Sequence, residues 1–146
     1  MSRAFVKEDD GDSEVVAPRP QRRHPYYVTP EGHAQLQERL ARAQAAGNAR
    51  EAEDLQARLE EAIVVDPHEQ DPSRIAFGAS VTVEQPDRKR QTYRIVGEDE
   101  ADPLKGTISW LSPLAQALLE RKPGDRVVWQ RPAGNLPLKI VSIAYT

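Results

Sequence analysis

Residues 106–130 read GTISWLSPLAQALLERKPGDRVVWQ, and this stretch decides the fold class. Behind Gly106, the residues Thr107, Ile108 and Trp110 are strand formers. Ser112-Pro113 then reads as a helix start, because the serine hydroxyl can accept a first-turn N–H and a proline at the first helical position loses no hydrogen bond. Leu114, Ala117, Leu118 and Leu119 supply the apolar side of a short helix; KPGD turns the chain, and RVVWQ resumes an extended run. A strand, one helix and a strand in so short a span predict a single helix set against a sheet.

Outward from this segment the pattern is of strands. AFGASVTVEQ (residues 76–85) alternates Ser80, Thr82 and Glu84 with Val81 and Val83. RKRQTYRIVG (88–97) sets Tyr93 and Ile95 opposite Thr92 and Arg94, with PDRK between the two runs as a hairpin turn, and PLKIVSIAYT (137–146) closes the chain with β-branched residues. Strands gathered around one helix predict an α+β domain whose sheet is mostly antiparallel.

Toward the amino terminus the period changes. In TPEG (29–32), Thr29 can cap a helix, Pro30 suits its first position and Glu31 its positive end. His33, Leu36, Leu40 and Ala43 then form one stripe, Gly47-Asn48 stops it, and Ala52, Leu55, Leu59, Ala62 and Ile63 form a second. Two single-striped helices with a short connection predict an antiparallel helical hairpin, with arms of about 17 residues reaching about 25 Å. Two Asp-Pro pairs in VVDPHEQDPS (64–73) break the helix. The expected division is a flexible tail over 1–24, a short hairpin over 25–66, a linker over 67–74 and the sheet domain over 75–146.

Charge and composition exclude much of the usual chemistry. There is no cysteine, so no thiolate metal site or cysteine nucleophile exists, and a reducing, cytoplasmic setting is expected. No apolar run approaches the roughly 18 residues of a membrane span, and no membrane partner is expected. The net charge is −3, and residues 74–146 hold eleven bases against eight acids, too even a balance to predict strong independent nucleic-acid binding. His24, His33 and His68 lack a second ligand at metal-binding spacing, so no metal site is expected. Neither a nucleophile elbow nor a phosphate-binding glycine loop follows any strand.

Two acid clusters remain. GEDEAD (97–102) holds four carboxylates in a loop whose residues point in different directions; it reads as a solvated connection. AAGNAREAED (45–54) lies at the hairpin turn, where Glu51, Glu53 and Asp54 are candidate tip acids and an Arg50–Asp54 pair is the structural alternative.

FGASVTV (77–83), YRIVGEDEAD (93–102), GTISWLSPLAQALLERKPGD (106–125), Pro132 to Gly134 and IVSIAY (140–145) together resemble the C-terminal domain of the GreA/GreB transcription elongation factors. YVTPEGHAQLQERL (27–40) is similar to the opening of that family's first hairpin helix. The resemblance implies a helical hairpin attached to a domain of FKBP-like fold. It also implies docking beside the secondary channel of bacterial RNA polymerase, through the loop that here carries Leu111, Ser112 and Pro113. Relatives often have Asp or Thr where this chain has Leu111.

In that family the hairpin tip lends carboxylates to a magnesium ion, and the cleavage of backtracked RNA belongs to the polymerase. No catalytic residue and no cofactor of its own is therefore expected here, any magnesium being held mainly by the polymerase. The tip departs from the family pattern GD-L-SENAEY: GNAREAED keeps Gly47, has Asn48 in place of Asp and lacks Ser-Glu-Asn, and the arms are short. The expectation is a polymerase-binding elongation factor or regulator, not itself an enzyme, without efficient stimulation of transcript cleavage. The alternatives are a regulator of nucleoside diphosphate kinase, by similarity of the short hairpin to the Rnk branch, and a cleavage-stimulating factor with a shortened hairpin. Prolyl isomerisation, suggested by the FKBP-like fold alone, would need an aromatic-lined pocket from Phe77, Tyr93, Trp110, Trp129 and Tyr145, several of which a core requires.

Overall fold

The Thr29 hydroxyl accepts Gly32 N–H at 3.0 Å and Pro30 follows it, so helix formation starts where the sequence allows it to. The computed structural model describes residues 24–145; residues 1–23 and Thr146 lie outside the described residues, and with them nearly all of the segment expected to be a tail. In chain order the elements are β1 (Tyr27–Val28), α1 (Pro30–Ala45), α2 (Ala49–Glu61), β2 (Ile63–Val64), β3 (Ser80–Glu84) and β4 (Arg90–Val96), then β5 (Thr107–Ser109), α3 (Pro113–Leu118), β6 (Arg126–Trp129) and β7 (Leu136–Ala144).

The two stripes meet as a hairpin. Gly47 takes φ +71° with open space around it, a conformation that favours glycine, and the Asn48 side chain caps α2 by accepting Glu51 N–H at 3.2 Å. Leu36, Ala43 and Leu55 are buried in the seam, with Leu40, Ala52, Leu59 and Ala62 packed against them. Tyr26 and Val28 belong to the same cluster, so the chain entering the hairpin is part of its core. The arms are 16 and 13 residues, shorter than expected, because α2 ends at Glu61 and Ala62 is already extended. Beyond Ala62, β2 pairs in parallel with β1, Tyr27 beside Ile63 and Val28 beside Val64.

The sheet has the order β5-β4-β3-β7-β6. β3 lies at its centre, antiparallel to β4 and β7; β6 is antiparallel to β7, and β5 joins β4 in parallel. Val81, Val83, Ile95, Val127, Leu138 and Ile140 face α3, whose Leu114, Ala115 and Leu118 close the core. Burial of such side chains contributes roughly 1.5–3 kcal/mol each. The result is the expected α+β architecture: a short antiparallel helical hairpin followed by a mostly antiparallel β domain with one helix. No helix among the described residues is long and apolar enough to cross a membrane.

Candidate functional site

At the hairpin tip, Glu51 and Glu53 are exposed in the first turns of α2, where acids suit the positive end of the helix. Asp54 is half-buried, and its carboxylate meets Arg58 at 3.2 Å, one turn further from the tip. The partner is Arg58 instead of the expected Arg50, and the same guanidinium extends to Asp99 of the globular domain at 3.5 Å. The three tip acids thus share a helix start, but one of them is turned back toward the base. At about 1.5 Å per residue, the 16 and 13 residues of the arms span about 24 and 20 Å.

The loop at Leu111, Ser112 and Pro113 is held by hydrogen bonds from side chains and backbone close in sequence. Ser109 Oγ accepts Leu111 N–H at 3.1 Å, Ser112 N–H donates to Ser109 carbonyl at 2.9 Å, and Ser112 Oγ caps α3 by accepting Ala115 N–H at 3.2 Å. Gln116 Nε2 donates to the Trp110 carbonyl at 2.7 Å from the other side. Pro113 stands exposed at the first helical position and Leu111 is half-buried, giving a rigid, partly apolar edge. Trp110 anchors the loop to the hairpin base: its ring packs edge-on against Tyr27 at 5.1 Å and His24 at 5.8 Å.

The acid cluster GEDEAD is not the solvated connection expected. It forms the joint between the hairpin and the sheet domain. Glu100 accepts Thr29 N–H and Gly97 N–H, each at 3.0 Å, and its other oxygen meets the Thr29 hydroxyl. A carboxylate therefore sits at the amino end of α1, where the helix dipole favours it. Asp99 accepts the Tyr26 hydroxyl at 2.5 Å, Glu98 lies 3.7 Å from the His24 ring, and Arg94 of β4 meets Glu31 of α1 at 3.3 Å. Hydrogen bonding from its own backbone N–H, and after that the Arg94 guanidinium, holds the Glu31 carboxyl below its ordinary value.

Two glycines make this approach possible. A Cβ on Gly32 would fall on the Glu100 carboxyl, and one on Gly97 would lie 2.5 Å from the Tyr27 carbonyl. The signal in the sequence was a glycine inside the first turn of α1, where it weakens the helix and therefore calls for a close neighbour.

Comparison with known proteins matches the family model of the transcription elongation factor GreA/GreB C-terminal domain to residues 67–145, more than half of the chain. Among curated relatives, transcription elongation factor GreB of Neisseria meningitidis serogroup B is 42% identical over 92 residues, covering 62% of this chain and 56% of the relative. GreA of Geobacillus kaustophilus is 41% identical over 90 residues, covering 61% and 57%. The chain thus spans a little over half the length of the curated relatives it matches. Among solved structures, a GreA/GreB factor from Nitrosomonas europaea aligns over 82% of this chain and 99% of its own, with 28% identity and a TM-score of 0.47. The chain belongs to the GreA/GreB transcription elongation factor family.

Proposed function

We propose that the protein is a transcription regulator that docks on bacterial RNA polymerase near its secondary channel through the Leu111–Pro113 loop, without efficiently stimulating transcript cleavage. The observation that carries the second half is the Asp54–Arg58 pair on an arm of 13 residues: a tip carboxylate is already engaged, and the arms span about 24 Å at most. Metal coordination needs oxygen within about 2.0–2.6 Å, so a shortfall of one helical turn abolishes it. The names of the relatives, transcription elongation factors, favour a polymerase partner over a nucleoside diphosphate kinase.

Two measurements test the reading. Purified RNA polymerase is expected to retain the wild-type protein and to lose it when Leu111→Lys and Pro113→Ala are combined. Retention by nucleoside diphosphate kinase in place of polymerase overturns the proposal. In a backtracked elongation complex the protein is expected to leave the cleavage rate unchanged. Acceleration that Glu51→Ala, Glu53→Ala and Asp54→Ala together abolish establishes instead the cleavage-stimulating alternative.

A further inference from the structure

At the end of the sheet away from the hairpin, the strand register aligns one residue from each of four neighbouring strands. Arg90 of β4 lies opposite Glu84 of β3, Glu84 opposite Lys139 of β7, and Lys139 opposite Arg126 of β6. The alternation of buried and exposed positions puts these side chains on the face turned from α3. Glu84 is the single acid of the row, and Arg90 engages it at 3.5 Å. Arg126 and Lys139 are like charges directly opposed on adjacent strands, an arrangement that destabilises a sheet.

A second local cost lies beside the first. The β3–β4 turn closes through Arg88 N–H to Gln85 carbonyl at 2.9 Å and Gln85 N–H to Lys89 carbonyl at 2.8 Å, with Arg88 at φ +70°, a position that favours glycine. Arg88, Arg126 and Lys139 line one open groove of about 500 Å³ with Glu84, Pro86 and Pro137. Glu84 faces Lys139 across the strands, yet no carboxylate among the described residues comes within salt-bridge distance of any of these three cations. A strained backbone and an opposed like-charge pair that converge on one groove are what a binding site retains at the expense of stability.

We propose that this groove docks an acidic, extended segment of a partner protein. The chemistry favours a protein over nucleic acid, since Glu84 stands among the cations where a continuous phosphate chain would meet it, and no aromatic ring lines the groove for a base to stack on. The neighbouring surface specifies more. β6 is one of the two edge strands of the sheet, and Val128, on the same face as Arg126 and two residues on, is 51% exposed. A segment added along β6 brings an acidic side chain beside Arg126 and an apolar one beside Val128, so the ligand carries an acid and an apolar residue two positions apart, on one face of its strand. This surface shares no residue with the Leu111–Pro113 loop.

The test titrates the protein into a short fluorescein-labelled peptide of repeated Glu-Thr-Val-Thr, which sets glutamate and valine in turn on one face of a strand, at low salt, and follows anisotropy. Binding that weakens as salt rises is expected. Arg126→Gln with Lys139→Gln is expected to lower affinity about tenfold, the scale of two lost surface charge contacts, without lowering the melting temperature. Arg88→Gly supplies an independent readout: relief of the left-handed arginine is expected to raise the melting temperature while affinity falls. The proposal is overturned by absence of peptide binding, by binding that these substitutions leave unchanged, or by an oligothymidylate of equal charge that binds more tightly than the peptide.

Discussion

Glu100 accepts the backbone N–H of Thr29 at 3.0 Å across 71 positions of sequence, so the cap of α1 is completed by the globular domain. Helix and sheet domain share one hydrogen-bonded centre: the Thr29 hydroxyl serves Gly32, and the Glu100 carboxylate serves both Thr29 and Gly97. Thr29 is 1% exposed, so water cannot replace a lost partner at low cost.

Replacing Glu100 with alanine leaves the N–H groups of Thr29 and Gly97 without their acceptor. The expected loss is about 1.5–3 kcal/mol, read from chemical denaturation. Glu100→Gln, which keeps an acceptor oxygen but no charge at the helix end, is expected to lose less.

Gly32→Ala separates intrinsic helix preference from packing. In an unobstructed helix the change stabilises by about 1 kcal/mol; here the new Cβ meets the Glu100 carboxyl, and a lower melting temperature is expected. In the Glu100→Ala background the same substitution is expected to become neutral or stabilising. A double-mutant cycle by calorimetry measures the reversal.

Tyr145 ties the end of β7 to the chain entering the sheet domain: its hydroxyl donates to the Arg74 carbonyl at 2.6 Å and accepts Ala76 N–H at 2.9 Å. Tyr145→Phe is expected to cost about 1–3 kcal/mol, the penalty for unpaired backbone groups. Burial raises the phenol above its usual 10.0, so the fold favours the neutral form. That contribution is fully present below pH about 10 and is lost as pH rises through the higher folded value. Unfolding midpoints against pH on the alkaline side are expected to fall for the wild type and to fall less steeply for Tyr145→Phe, in which Tyr93, also raised by burial, remains.

On the acid side the sign is opposite. The Glu31 carboxyl is lowered from 4.5, chiefly by its own backbone N–H and further by Arg94, so its contribution is present above that value and fades as pH falls below it. Glu31→Gln is expected to reduce the acid slope of stability without changing its value near neutrality greatly, the pair being exposed.

The readable parts of the sequence were those in which a residue acts on its near neighbours. Ser112-Pro113, Thr29-Pro30 and Gly47-Asn48 mark helix ends because caps reach only two or three residues, and the hydrophobic stripes recur within one element. The joint was not readable, because Glu100 with Thr29 and Tyr26 with Asp99 are pairs 71 and 73 positions apart with no period to announce them. A run of carboxylates looks solvated until a helix end is placed over it. The parallel pairing of β4 with β5 escaped for a related reason: three residues, Thr107–Ser109, are too few for alternation to reveal a partner or a direction. At the tip, the four-residue spacing predicted a salt bridge of Asp54 with Arg50, and the partner lies four residues the other way: Arg58, which also contacts Asp99.

The clasp of β1 against β2 bears on how such a molecule can vary. Both ends of the hairpin are gripped side by side at Tyr27–Ile63 and Val28–Val64, while at its outer end a Cβ added to Gly47 would meet none of the described residues within 4 Å. Length is therefore decoupled from attachment. Matched insertions of seven residues in each arm, about two turns, would move the tip outward by about 10 Å and leave the clasp and the Glu100 joint as they are. The protein is built as a mount with an interchangeable probe.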